Sequence, residues 1–276
     1  KDSRMTSCIL YTNSRYFKFF YYYLVKHTQK CDISVMRKEG QPNPDFLKRR
    51  LNIKLPIIGF YDAPEPVLFE PLVSPEGRDC VYSFFKSWLE GKTLHITRER
   101  YGCGGAGHWM WGIKVRPKKE FLKFLVDEEG LKASRSLMEK WIYSRQPYRA
   151  DYPHLFLGPL KKEAWPYAKT VTFLVNPDQL SALAIGAQYH NAPDDPPPVI
   201  APFGSGCSQL QPFKDLGIPQ ASIGATDIAS RHHLPPDILT FTVTRPMFKR
   251  LCSLDERSFL YKPFLERLKT ARGGLL

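Results

Sequence analysis

Apolar positions along this chain change period repeatedly, from the helical spacing of three and four to alternation or short unbroken runs. Residues 45–53 set Phe46, Leu47 and Leu51 on one side and Lys48, Arg49 and Arg50 on the other, which predicts an amphipathic helix. Residues 56–61, Pro-Ile-Ile-Gly-Phe-Tyr, are a continuous apolar run between turn residues and suit a buried strand. Pro64 and Pro66 then break the chain. Residues 78–90 return to helical spacing through Val81, Phe84, Phe85, Trp88 and Leu89, with Gly91 as the stop. Residues 93–97 alternate and read as a strand leading into a glycine-rich loop. Helices are expected at about 118–128 and 131–144, and strands at 154–157 and 169–175. A further helix runs to about His190, with Asn176 placed to cap it and Pro177 at its first position. Strands at 199–203, 221–225 and 238–243 precede one long basic amphipathic helix, expected over about 246–272. Strands and helices interleave throughout, so the expected class is mixed α/β (α+β), with a single main sheet flanked by helices. No internal repeat is present at any solenoid period.

Composition fits a folded chain: 276 residues, 43% hydrophobic and 13% aromatic, are enough for one large core. The first 35 residues differ from the rest. Residues 16–25 are aromatic and apolar, but they fall short of the ~20 residues a membrane-spanning helix needs, and no small-residue cleavage site follows. From Met36 the sequence becomes ordinary. Residues 1–35 are therefore expected to be an extension outside the fold, residues 36–276 a single α/β domain, and no membrane span is expected. The formal charge of +13 suits an anionic partner, yet the basic residues are scattered in twos and threes, as at 48–50, 118–119 and 161–162. That dispersion argues against nucleic acid and leaves a small molecule or a metal as the expected partner.

Six cysteines bring in chemistry. No pair has Cys-x-x-Cys spacing, and a chain of this size needs no disulfide framework, so a reducing cytoplasm is the expected setting. Cys103 lies in residues 101–112, Tyr-Gly-Cys-Gly-Gly-Ala-Gly-His-Trp-Met-Trp-Gly, where five of twelve residues are glycine. Glycine keeps a sulfur accessible and lets backbone amides approach a thiolate or a bound anion. The stretch is neither a dinucleotide fingerprint nor a Walker loop. Cys207 has a similar setting, Gly204-Ser-Gly-Cys-Ser208. Cys80 falls near an expected helix start, where the macrodipole would lower a thiol pKa if the sulfur faced outward. Cys252, among Phe248, Leu251 and Leu254, reads as a core residue. Asp227 and Arg231 stand four apart and would pair on a helix. No hydrolase signature appears.

The order of these motifs resembles the domain-of-unknown-function 169 family of archaeal and bacterial proteins. The resemblance rests on residues 55–60 (Leu-Pro-Ile-Ile-Gly-Phe), the Cys80 helix ending at Glu90-Gly91, Cys103-Gly-Gly105, the segment Gly204 to Cys207, and the stretch from Ser222 to Arg231. It implies that Cys80, Cys103, Cys207 and Arg231 match recurrent family positions, and it implies no activity. Trp109-Met-Trp111 departs from the smaller residues expected there.

Three readings follow. The preferred one gathers Cys80, Cys103 and Cys207 around an iron–sulfur cluster or another thiophilic metal, with His108 available as a fourth ligand. The second makes Cys103 a redox-active or nucleophilic thiol and Cys207 its resolving partner. The third is a non-catalytic module in which Gly104 and Gly105, with Arg231 from the resemblance, hold a small anion.

Overall fold

Eight strands form one mixed sheet in the computed structural model, which describes residues 40–113, 118–144, 147–202 and 204–273. The strands are β1 (Ile58–Ala63), β2 (Leu72–Val73), β3 (Thr93–Ile96), β4 (His154–Pro159), β5 (Ala168–Val175), β6 (Val199–Ile200), β7 (Ala221–Gly224) and β8 (Leu239–Thr244). Their spatial order is β2-β3-β4-β1-β5-β8-β7-β6. The outer pairs β2–β3 and β6–β7 are parallel and all inner pairs are antiparallel. The helices are α1 (Asp45–Arg50), α2 (Phe85–Leu89), α3 (Gly104–Trp111), α4 (Lys118–Lys123), α5 (Arg135–Ser144), α6 (Pro177–Gln188), α7 (Gly206–Leu210), α8 (Arg245–Cys252) and α9 (Pro263–Ala271). The expected class, mixed α/β with one main sheet, is the observed one. The extension expected over residues 1–35 lies outside the described residues.

Alternation along the strands sends side chains to two buried faces. On one face Tyr61, Phe156, Val171, Phe173, Phe241 and Val243 pack with Leu47 of α1, Leu183 of α6 and Met247 and Phe248 of α8. On the other face Ile58, Phe60, Leu155, Leu157, Leu94 and Ile96 pack with Phe85 and Trp88 of α2, Trp109 and Met110 of α3, and Cys207 and Leu210 of α7. This second face carries Cys80, Cys103 and Cys207. Trp88 fixes α2 to it by donating its indole N–H to the carbonyl of Leu157 at 3.0 Å. Asn176 and Gln179 form the capping box of α6, and the Gln179 amide also donates to the carbonyls of Leu51 and Asn52, tying α6 to α1.

β5 and β8 each alternate threonine with apolar residues. Thr170, Thr172, Thr240, Thr242 and Thr244 are all buried. Thr172 and Thr242 bond across the strands at 2.9 Å, and Thr170 donates to the carbonyl of Leu210 at 2.9 Å, which satisfies the end of α7. Thr170 is thus the member of the threonine stripe that holds the end of α7.

Two expectations are corrected. Residues 104–111 are helix rather than loop, although three of the eight are glycine. Each glycine costs a helix about 1 kcal/mol relative to alanine. Burial of Ala106, Trp109, Met110 and Trp111 offsets that cost, so packing and not propensity makes α3. The long C-terminal helix is in fact α8 and α9. The polar run 255–258 separates the two, and Pro263 starts the second, as Pro at a first helical position does.

Candidate functional site

Two helix starts meet at the cysteines. Cys80 is the residue before a 3₁₀ turn, Val81–Phe84, that runs into α2; Cys103 is the residue before α3. Gly102 joins the two: its φ of +79° suits glycine, and a Cβ there would lie 2.5 Å from the carbonyl oxygen of Asp79. The amide of Cys103 donates to that same oxygen at 3.0 Å.

α7 arrives from the opposite side. Gln209, fully buried, donates from its amide to the carbonyls of Pro202 and Gly204 and to the hydroxyl of Thr226 at 2.7 Å, while its oxygen accepts from the Thr226 amide. Asp227 uses its two carboxylate oxygens on two segments, accepting from the Ala229 amide at 3.1 Å and the Gly206 amide at 3.2 Å. α3 and α7 then approach so closely that a Cβ on Gly105 would lie 2.8 Å from Cys207 Sγ, 3.5 Å from Ser205 Oγ and 3.6 Å from Cys103 Sγ. Gly105 is required by this crossing, and the two sulfurs flank it.

The electrostatics divide the three thiols. Hydrogen bonding from Cys207, with the amides of Ala106 and Gly105 facing the sulfur, outweighs burial and brings the Cys103 thiol down to about 6. That same interaction with Cys103, together with complete burial, pushes Cys207 well above the ordinary thiol range. Burial pushes Cys80 up to about 11, aided by the charges of Cys103 and Asp227 and only partly offset by the Tyr82 amide. The cluster therefore holds one thiolate and two neutral thiols at neutral pH. All four described cysteines are free thiols. Cys252 belongs to the core of the other sheet face, where burial raises it to about 12, so its reading as a core residue agrees with its position.

The remaining expected residues are distributed differently. Asp227 and Arg231 do not pair. Residues 228–233 form a 3₁₀ turn, whose three-residue repeat does not bring positions four apart into line. The Arg231 guanidinium donates instead to the carbonyls of Ala225, Pro235, Pro236 and Ile238, clamping the loop that follows Asp227. These contacts lend no support to Arg231 as a ligand-binding residue. His108 lies edge-on to Trp109 at 4.4 Å. Trp109 and Trp111, the departures from small residues, are core anchors of α3. Among the described residues no group of three or more His, Cys, Asp or Glu side chains is arranged to hold a metal ion. Two cavities, of about 480 Å³ beside Gln41, Lys48 and Lys162 and about 280 Å³ beside Arg149 and Lys214, contain no cysteine.

Sequence reasoning did not single out Ser205 or Gln209. Ser205 occupies the capping position of α7 without capping it; its hydroxyl reaches Cys207 Sγ at 3.2 Å. A serine two residues before a cysteine was the available signal.

Residues 47–253 match the model of a family described as Uncharacterised ArCR, domain of unknown function 169. No curated protein and no solved structure matches the chain. Among the described residues no helix is long and apolar enough to cross a membrane.

Proposed function

Because the chain belongs to the domain-of-unknown-function 169 family, which offers no activity to inherit, we propose from the site itself that it is a thiol-dependent redox protein. The carrying observation is the pairing of a low-pKa, partly exposed Cys103 with a buried, protonated Cys207 across Gly105. In this reading the Cys103 thiolate attacks one sulfur of a disulfide substrate and the other sulfur leaves as a thiolate. Cys207 then loses its proton and attacks Cys103, releasing the second thiolate and closing a Cys103–Cys207 disulfide. The substrate disulfide gains two electrons and the protein dithiol loses two. A separate dithiol reductant must reopen the bond for turnover. A reducing cytoplasm would supply one, and remains the proposed setting.

The metal reading has less support. Among the described residues no group of three or more His, Cys, Asp or Glu side chains is arranged to hold an iron–sulfur cluster or other thiophilic ion. The anion-binding reading weakens because sulfur atoms, rather than open space, cover Gly105.

Oxidation with a small disulfide, followed by proteolysis and peptide mass mapping, tests the proposal. A Cys103–Cys207 cross-link that a dithiol reverses is expected. A Cys103 that stays in mixed disulfide, or that joins only Cys80, would defeat it.

A further inference from the structure

The thiol reading leaves one step without a partner. While Cys103 is a thiolate it accepts from the Cys207 S–H, but once Cys103 is consumed in a mixed disulfide that charge is gone. Cys207 must then become the nucleophile at a position only 3% exposed, where bulk water gives little help to a developing thiolate. Ser205 Oγ stands 3.2 Å from Cys207 Sγ. The serine is itself partly exposed, so it links the buried sulfur to the solvent side.

Its backbone is fixed and its hydroxyl is spare. The Ser205 carbonyl accepts from the amides of Ser208 and Gln209 and from the Ser208 hydroxyl at 2.8 Å, while the side chain makes no cap. The other hydroxyls nearby are committed elsewhere: Tyr82 and Thr240 face each other at 3.5 Å, and the Ser208 hydroxyl is spent on the Ser205 carbonyl.

Building on the thiol reading, we propose that the Ser205 O–H turns to donate to the Cys207 sulfur during the resolving attack, holding the negative charge there while the new S–S bond forms. The Cys207 proton leaves to water, the electron pair of Cys207 forms the bond to Cys103 Sγ, and the substrate's remaining sulfur departs as a thiolate. Ser205 is unchanged at the end. A hydrogen bond to a charged group is worth more than one between neutral groups, so its loss slows this one step by ~10-fold or more.

An aromatic disulfide reagent that releases a coloured thiolate separates the steps. In a chain with Cys8 and Cys31 replaced by serine, taken as the unmodified reference, the first equivalent reports attack by Cys103 and the second reports resolution; Cys207→Ser in that chain should release only the first. In Ser205→Ala the first phase is expected to match the unmodified chain, the second to slow by ~10-fold or more, and Ser205→Thr, which restores a hydroxyl, to recover it. An alanine variant whose second phase is as fast as in the unmodified chain overturns the role of Ser205 and leaves the thiol reading standing. So does slowing both phases equally, which marks a purely structural residue. An unmodified chain that releases no second equivalent overturns the thiol reading itself.

Discussion

With Cys103 replaced by serine, alkylation by iodoacetamide at pH 6, summed over the described thiols, falls by ~100-fold or more, because the other three are protonated and shielded. The magnitude follows from two opposing effects. A thiol with a pKa of about 6 is half ionised at that pH, against ~0.3% for an ordinary cysteine. Nucleophilicity falls with basicity, and a Brønsted slope of ~0.4–0.5 takes back roughly a factor of ten. Cys103 therefore outpaces a free cysteine by only ~10-fold at pH 6 and about two-fold at pH 7. The larger contrast is internal. Cys80 at about 11 and Cys252 at about 12 are almost wholly protonated, and their greater basicity as thiolates recovers only part of that deficit. Following each cysteine peptide separately by mass spectrometry checks this and keeps Cys8 and Cys31 apart. A Cys103→Ser protein whose Cys80 or Cys207 reacts as fast as Cys103 did would refute it.

The second large effect concerns how α7 is held. Gly206→Ala should destabilise the fold by about 1–3 kcal/mol, the usual cost of overpacking a core. The new methyl would lie 2.4 Å from Tyr82 Cε2, 2.9 Å from Cδ2 and 3.2 Å from Cζ. Tyr82 is fully buried, with its hydroxyl over Thr240, so the ring has no solvent to move into. α7 must shift instead, and Cys207 with it. For a domain of this size the melting temperature should fall by roughly 3–10 °C, and formation of the Cys103–Cys207 cross-link should slow along with it. Gly77→Ala is the control, since nothing lies within 4 Å of a Cβ there. Equal melting temperatures for the two variants would show that Tyr82 does not confine α7.

Much of the fold was legible because most elements carry their own period. The Thr93 strand, the Asn176-capped helix and the β5 and β8 strands stand close to where their apolar spacing put them. Other features depended on contacts between distant segments. The glycines of α3 looked like a loop because local propensity knows nothing of the tryptophans beneath them or of the sulfurs crossing at Gly105. The burial of the threonines of β5 and β8 depends on contacts between distant segments, such as the bond from Thr170 to the Leu210 carbonyl. In the site, sequence marked Cys103 and Cys207 by their glycine settings and Cys80 by its place near a helix start. It could not say which would be the thiolate, because that depends on burial and on which sulfur meets the amides at the start of α3. Spacing also misjudged Asp227 and Arg231, whose four-residue separation has meaning on an α-helix but not on a 3₁₀ turn.

The most direct test of the thiolate at Cys103 is a pH titration of ultraviolet thiolate absorbance, comparing the unmodified protein with Cys103→Ser. One thiolate should appear with a midpoint near pH 6 in the unmodified protein and be missing from the variant, since the folded site favours the anion at every pH above that point. A titration in which no thiolate forms below the ordinary cysteine range, or in which the low-pH step survives the loss of Cys103, would contradict the assignment of Cys103 as the reactive group.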